Sequence, residues 1–200
     1  NTVIICVCAI SITVVLSAMC AYRLSRWNNK VSRIILLVLM ASMTVPFQSI
    51  MLPLVKICKN LNLANSIPGL ILILVPLYCP MAVFIYQGFI ASIPYEVEEA
   101  AQIDGCTRIQ TFFRITMPML RPIVFLTSVM ALNNTLQLFD EVVNLTNGGP
   151  GNATRTISQY IYDLSFTYVP SYGYAAAVSY VVLILIVIIT VVQKKVMREK

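Results

Sequence analysis

Histidine is absent from this 200-residue chain, and charged residues make up only 11% of it. Without histidine, the chain lacks the side chain that most often acts as a general base or binds a metal ion. It also lacks a G-x-x-x-x-G-K phosphate-binding loop, and no charged residue lies near the middle of a long hydrophobic segment. The sequence therefore predicts no catalytic residues, no metal site and no cofactor bound by the chain itself.

Hydrophobic residues are abundant, at 58% of the chain with a mean hydropathy of +0.83, as is typical of multi-pass membrane proteins. A helix rising about 1.5 Å per residue needs about 20 residues to cross a ~30 Å hydrocarbon layer. Five segments have that length: 2–22, 34–55, 67–90, 119–143 and 173–193. Because backbone groups inside a membrane must bond to one another, we predict an all-α fold, one transmembrane helix bundle over residues 1–200. Four prolines are expected to kink the second and third spans: Pro46, Pro53, Pro76 and Pro80.

Positive charges are distributed unevenly between the loops that join these segments. With the N-terminus outside, eleven of the 14 Lys and Arg residues lie inside, in the segments 23–33, 108–121 and 194–200. Only Lys56, Lys59 and Arg155 lie outside. This asymmetry follows the positive-inside rule, so the C-terminus is predicted to be cytoplasmic. Topology explains the net charge of +6, which does not indicate binding of nucleic acid.

The six cysteines show no C-x-x-C spacing. Only Cys58 and Cys106 lie in segments expected outside the bilayer, and these segments are on opposite sides of it. We therefore interpret the cysteines as small apolar residues and predict neither a disulfide nor a metal site.

The inner loop at residues 91–118 has the pattern of a helical hairpin. Pro94 is suited to begin a helix, and glutamates at 96, 98 and 99 favour its first turns because the helix dipole stabilises negative charge there. Gly105 suits a left-handed residue at the C-terminal end. The first helix of the hairpin is therefore predicted between Pro94 and Gly105.

A second helix is predicted after Gly105, because Thr107 and Gln110 have capping-box spacing, and it is expected to end before Pro118. Each helix has an apolar face: Val97, Ala100 and Ala101 on the first, and Ile109, Phe112 and Phe113 on the second. Two aromatic side chains on a short cytoplasmic hairpin require a contact that shields them from water. Periodicity alone leaves two interpretations open: the hairpin lies on lipid headgroups, or it docks into a groove of a soluble partner.

The hairpin residues resemble the EAA loop of binding-protein-dependent ABC importer permeases. The match runs from Glu99-Ala100-Ala101 through Gly105 to Ile115 and Met117-Pro118 at the full spacing of that motif, with Met where Leu is usual. The resemblance implies that the loop is a coupling element, seated in a cleft of a cytoplasmic ATPase subunit. The residues that it assigns to coupling are Glu99, Ala100, Ala101, Asp104, Gly105, Phe112, Phe113, Ile115 and Pro118.

The resemblance extends over essentially the whole chain and implies a MetI-like permease fold. Residues 139–150 and 160–177 are similar to the carbohydrate-uptake branch, whose permeases pair with a different permease subunit. The resemblance therefore implies a sixth span before Asn1, a non-identical permease partner and an extracellular solute-binding protein. It also implies two ATPase subunits that bind ATP and Mg²⁺, and a location in the inner or plasma membrane of a prokaryotic cell.

The outer segment at residues 144–172 combines a turn, Gly148-Gly149-Pro150-Gly151, with a predicted interfacial helix. The helix is indicated by apolar residues at i, i+3, i+4 and i+7: Ile157, Tyr160, Ile161 and Leu164. The tyrosines of this segment are interpreted as an aromatic belt at the membrane surface. The resemblance implies in addition that the solute-binding protein docks here, with Gly148, Gly149 and Pro150 as candidate contacts.

Polar residues inside two predicted spans are candidates for a solute pathway: Asn133, Asn134 and Gln137 in the fourth span and Tyr78 in the third. Amide and phenol groups in hydrocarbon need partners, and a cluster facing the bundle interior suits a hydroxyl-rich solute. Interhelical hydrogen bonding, worth about 0.6 kcal/mol per contact, is the alternative interpretation.

The combined prediction is a permease subunit of an ATP-driven importer of a sugar or oligosaccharide, in which a separate subunit hydrolyses ATP. Import of another solute, such as a polyol or glycerol phosphate, is the alternative within transport. A channel or scaffold without ATPase coupling is the alternative of a different class. A channel would be favoured by rings of charge or a glycine-rich filter within the membrane, and neither is present in the sequence.

Overall fold

The computed structural model describes residues 2–27 and 29–198, with side chains to residue 195, and this part of the chain is helical without β-strands. The predicted all-α fold class is confirmed. The helices are α1 (Thr2–Arg26), α2 (Lys30–Ser42), α3 (Phe47–Asn60), α4 (Ile67–Ser92), α5 (Tyr95–Ile103), α6 (Arg108–Met119), α7 (Arg121–Leu136), α8 (Asp140–Leu145), α9 (Ile157–Tyr162) and α10 (Tyr172–Arg198). Two stretches have π-helical geometry: Phe112–Thr116 inside α6, and Asp163–Thr167, which continues α9.

Three helices are long and apolar enough to cross a membrane on their own: α1, α4 and α10. The 25 residues of α1 correspond to about 38 Å at ~1.5 Å per residue. The remaining two predicted spans, 34–55 and 119–143, are not single helices. The described residues contain three spans, or up to five if each bent helix pair is counted as one.

The prediction of one helix over residues 34–55 is wrong, because α2 and α3 meet at an angle of 103°. Pro46 lies at the break in an extended conformation, with φ −66° and ψ 141°. Proline has no N–H to donate and disfavours a helical conformation in the preceding Val45. The kink expected at Pro46 is therefore a complete break, whereas α3 continues through Pro53 and α4 continues through Pro76 and Pro80.

The prediction of one helix over residues 119–143 is also wrong. Helix α7 ends at Leu136, and α8 begins only at Asp140. Hydroxyl groups from the outer segment bind the carbonyl oxygens at this break: Ser158 Oγ donates to Leu136 at 3.0 Å and Thr156 Oγ1 donates to Leu138 at 2.8 Å. A hydroxyl donor replaces an N–H of the next helical turn, so the helix can stop without an unpaired carbonyl.

Helices α1 and α4 pack side by side in parallel orientation and form most of the core. Near their N-terminal ends, Ile5 and Ala9 of α1 pack with Leu70 and Leu74 of α4. Near their C-terminal ends, the cluster contains Ala18, Ala21, Leu24, Ala82, Val83, Tyr86, Ile90, Phe112 and Leu120. Small residues on α1 allow the two backbones to approach closely. Because Phe112 and Leu120 belong to this cluster, the inner hairpin is anchored in the core of the bundle.

Candidate functional site

The hairpin at residues 91–118 has the local geometry that its sequence predicts. Helix α5 begins directly after Pro94, and Gly105 has a positive φ of 88°. A capping box opens α6: Thr107 N–H donates to Gln110 Oε1 at 2.8 Å, and Gln110 N–H donates to Thr107 Oγ1 at 3.3 Å. The open turn at Gly105 thus separates two helices whose ends are fixed by local bonds.

The predicted end of the second helix before Pro118 is wrong, because α6 continues to Met119 before a 71° bend into α7. The reason is the π-helical stretch, where Met117 N–H donates to the carbonyl of Phe112, five residues earlier. The wider turn shifts the backbone register just before Pro118, so the missing N–H of proline does not end the helix there. Pro118 instead lies within one turn of the bend.

The predicted apolar faces of the hairpin differ from those that the structure buries. On α5 the buried side chains are Glu98, 1% exposed, and Ala101, whereas Val97 and Ala100 are exposed. On α6, Phe112 is 5% exposed, whereas Phe113 is 53% exposed. The Phe112 ring lies 5.0 Å from the Tyr22 ring of α1, centroid to centroid.

The nine residues predicted to couple to an ATPase are therefore divided between surface and core. The exposed ones are Glu99, Ala100, Asp104, Gly105 and Phe113; Ile115 and Pro118 are half-buried; Ala101 and Phe112 are buried. Two isoleucines join the exposed group, since Ile103 is 81% and Ile109 is 73% exposed. We call the surface formed by Ala100, Ile103, Gly105, Ile109 and Phe113 the hairpin tip.

A buried polar cluster joins the hairpin to α1. Glu98 Oε1 accepts hydrogen bonds from Arg26 Nε at 3.0 Å and from an Arg26 terminal nitrogen at 2.8 Å. Glu98 Oε2 accepts a bond from the Tyr22 hydroxyl at 2.9 Å. Thr116 Oγ1 of α6 donates to Glu98 Oε1 at 3.3 Å, and Arg26 also donates to the carbonyl of Ile93 at 3.2 Å. We call these residues the Glu98 cluster.

The sequence pattern did not predict the Glu98 cluster, because it marks Glu98 only as a negative charge in the first turns of a helix. The available signal was the i, i+3 spacing of Glu98 and Ala101, which places both on one helical face. A carboxylate on a buried face requires a cationic partner, and the C-terminal end of α1 supplies Arg26. The pairing itself depends on tertiary structure, and no sequence spacing specifies it.

Three of the four predicted pathway residues lie together in one polar cavity of about 370 Å³. The cavity is lined by Tyr78, Asn134, Gln137, Leu138, Phe139, Asp140 and Glu141. Asn133 is half-buried and is not part of this lining. The two carboxylates, which sequence reasoning did not select, come from the first turn of α8 and meet the pathway residues because α7 ends at Leu136.

A smaller cavity of about 80 Å³ adjoins the same residues, since Tyr78 and Asn134 also line it. Thr13 of α1 faces it, and among the described residues the buried Thr13 hydroxyl has no hydrogen-bond partner. A free hydroxyl, an amide and a phenol thus lie along one path between α1, α4 and α7.

The outer segment contains a rigid turn and the predicted helix. Gly148 is buried with a positive φ of 79°, and a Cβ there would lie 3.0 Å from Gln159 Oε1. Thr154 Oγ1 bonds to the carbonyl of Gly149 at 2.8 Å and to Thr146 Oγ1 at 2.7 Å. Of the three predicted docking residues, only Pro150 is exposed, and Gly149 is half-buried.

Helix α9 begins at Ile157, as the periodicity predicts, but it buries Gln159 rather than the apolar positions, which are half-buried. Its contacts are to α10 and to the end of α7, through the Ser158 bond described above. A hydrogen bond to Tyr174, at the start of α10, raises the pKa of the Tyr160 hydroxyl. The outer segment therefore holds the ends of α7 and α10 together.

Known proteins resemble this chain over long stretches. It is 42% identical to the lactose transport system permease protein LacF of Rhizobium radiobacter, over 58% of this chain and 39% of that protein. It is 32% identical to the sulfoquinovosyl glycerol transport system permease protein SmoH of Agrobacterium fabrum, over 84% of this chain and 59% of that protein. It is 36% identical to the multiple sugar-binding transport system permease protein MsmF of Streptococcus mutans, over 60% of this chain and 41% of that protein.

The chain spans between 39% and 59% of the length of these three relatives. Residues 13–198, which include the polar cavity and the entire hairpin, match a single family model. The resemblance carried by the hairpin residues is thereby confirmed, and the chain belongs to the family of binding-protein-dependent transport system inner membrane components.

Proposed function

We propose that this multi-pass membrane protein is a permease subunit of an ATP-binding-cassette importer that translocates a sugar or oligosaccharide. In this proposal a solute-binding protein delivers the solute from outside, and two cytoplasmic ATPase subunits hydrolyse ATP. The observation that carries the proposal is the hairpin: it is anchored in the bundle core by Phe112 and exposes an apolar tip.

The hairpin tip favours a protein partner over lipid headgroups. Its large apolar side chains, Ile103, Ile109 and Phe113, lie on both sides of the open turn at Gly105. Acidic residues interrupt this surface, since Glu99 and Asp104 are exposed beside it. Headgroup-binding helices carry mainly Lys and Arg on their polar face. The hairpin instead exposes three carboxylates, Glu96, Glu99 and Asp104, beside two arginines, Arg108 and Arg114. An apolar knob surrounded by charges of both signs suits a cleft in a soluble subunit.

The polar cavity supports a neutral, hydroxyl-rich solute. Asn134 and Gln137 can donate and accept hydrogen bonds, while Asp140 and Glu141 can accept bonds from hydroxyl groups. None of the described residues that line the cavity is basic, so it offers no counter-charge to a phosphate. This composition favours a sugar over glycerol phosphate. The names of the relatives LacF and MsmF support the same choice.

The charge asymmetry supports an orientation with the hairpin and the C-terminus in the cytoplasm. Arg23 and Arg26, at the end of α1, lie at the same end of the bundle as the hairpin. The outer segment then faces the solute-binding protein, with Pro150 as its exposed predicted contact.

The test is ATP-driven uptake by the full-length protein, assembled with its second permease subunit, ATPase and binding protein in proteoliposomes. Labelled lactose, an oligosaccharide, a polyol and glycerol phosphate serve as probes. We expect uptake of a sugar that requires ATP, and loss of that uptake in Gly105→Pro, since proline cannot adopt a φ of 88°. Gly88→Ala is the matched control, because a Cβ at Gly88 meets open space and helix propensity improves. Sugar uptake without any ATPase would contradict the proposal.

A further inference from the structure

We propose that the Glu98 cluster is the mechanical link between the coupling hairpin and the membrane helices, so that displacement of the hairpin moves α1 with it. This inference rests on the proposed function, in which ATPase subunits move the hairpin. Glu98 is a positioning residue here, because it contacts neither solute nor nucleotide.

Between α4 and the hairpin, the backbone alone does not provide this link. Helix α5 is joined to α4 through Ile93 and Pro94, both with extended ψ angles of 120° and 135°, so the two helices are not continuous. An extended two-residue connection can act as a hinge, which would allow the hairpin to swing without moving α4. Arg26 bridges this hinge, because it bonds both to Glu98 beyond it and to the Ile93 carbonyl within it.

The cluster joins three helices through a single carboxylate. Tyr22 and Arg26 belong to α1, Glu98 to α5 and Thr116 to α6. Arg26 also lies over the ring of Tyr95, with its guanidinium carbon 5.8 Å from the ring centroid. Because both arms of the hairpin bond to the same side chain, a rotation of either arm is resisted by α1.

Burial makes these contacts strong enough to serve as a link. Glu98 is 1% exposed and the Arg26 side chain 13% exposed, so solvent screens their attraction weakly. Loss of one partner leaves an unpaired buried charge, which is far more costly than loss of a surface ion pair. Since α1 packs along α4 at both ends, force that reaches Arg26 is transmitted to a helix pair that spans the membrane.

The test uses the full-length importer complex with two readouts. The first is sugar uptake per ATP hydrolysed, measured in proteoliposomes. The second is the distance between spin labels at Cys106, in the hairpin, and at Met19→Cys, exposed on α1, with the other five cysteines replaced. The variants are Glu98→Gln, Arg26→Met and the exchange Arg26→Glu with Glu98→Arg. Glu96→Gln is the matched control, because Glu96 is an exposed carboxylate on the same helix.

We expect Glu98→Gln and Arg26→Met to lower uptake per ATP at least tenfold while the ATPase still co-purifies. The distribution of distances between the two labels should be narrow in the wild type, with and without ATP. It should be broad in both variants. The charge exchange, Arg26→Glu with Glu98→Arg, should restore part of the uptake and make the distance distribution narrow again. A narrow distance distribution or normal uptake per ATP in Glu98→Gln would overturn the proposed link. Absence of ATP-driven uptake in the wild type would instead refute the importer proposal, and the distances would still decide whether Glu98 holds the hairpin to α1.

Discussion

At the scale of residues, the hairpin inverts the usual relation between polarity and burial. A carboxylate, Glu98, is almost completely buried, and the phenyl ring of Phe113 is 53% exposed. Buried charges need partners, and exposed large apolar groups commonly mark interaction sites. The two exceptions therefore have different consequences. Glu98 fixes the hairpin to α1 of the same chain, and Phe113 is available for contact with a partner protein.

The adjacent phenylalanines are predicted to differ when each is changed to alanine. Phe112→Ala should destabilise the protein by about 3–5 kcal/mol, because it leaves a cavity against Tyr22 and the core. Phe113→Ala should leave the unfolding temperature nearly unchanged and weaken retention of the ATPase. Thermal unfolding in detergent and co-purification measure the two effects. Equal loss of stability in both variants would contradict the division between core and surface.

At the scale of elements, the sequence was sufficient wherever the cause of a structure is local. The capping box of Thr107 and Gln110, the left-handed Gly105 and the three unbroken spans all follow from short-range chemistry. At Pro46 the sequence predicts only a kink, because the size of a bend depends on what the two helices pack against. The break after Leu136 depends on hydroxyl groups that lie 18 and 22 residues beyond the carbonyl groups they bind, which no local pattern shows.

The same limit applies to the candidate site. Periodicity predicts that the apolar face of α5 is the one that makes contacts. The face that is buried within the chain instead contains Glu98, because Glu98 pairs with Arg26 of α1. Asn134, Gln137 and Tyr78 are candidates because polar residues inside a hydrophobic segment are unusual, and their role in a pathway stays a prediction. The sequence pattern does not place Asp140 and Glu141 beside them, because it predicts that the fourth span continues to residue 143.

The outer segment is predicted to stabilise the break after α7. Thr156→Val keeps the side-chain shape but leaves the Leu138 carbonyl without its donor, at a cost of about 1–3 kcal/mol. Thr167→Val is the control, since the Thr167 hydroxyl is exposed and, within the described part of the chain, bonds to a side chain, Asp163, and to no backbone carbonyl. Hydrogen exchange at residues 136–139 should increase in the first variant and not in the second. Unchanged exchange in Thr156→Val would show that the break does not need this bond.

At the scale of the whole molecule, exposed apolar and polar surfaces favour the proposal that the chain pairs with a second permease subunit. Only 6% of the apolar stretch of α10 is buried, against 50% for α4. Asn134 and Gln137 line the polar cavity and are exposed. In a single subunit these amide groups would therefore face the surrounding lipid. Amide groups facing lipid are unfavourable, and a second subunit would enclose them in a pathway.

Helix α10 offers a surface for that second subunit. Gly173 and Ala177 are both exposed and have the small-xxx-small spacing that lets helices approach closely, and a Cβ on Gly173 meets nothing within 4 Å in this chain. Gly173→Leu should therefore leave the fold of this subunit intact while blocking close approach of the partner helix. We expect at least tenfold less non-identical permease to co-purify with Gly173→Leu, whereas Leu183→Met, at an exposed position away from the stripe of Gly173 and Ala177, should retain it. Full retention in Gly173→Leu would show that the partner packs elsewhere, and a wild-type subunit that transports sugar alone would refute the paired arrangement.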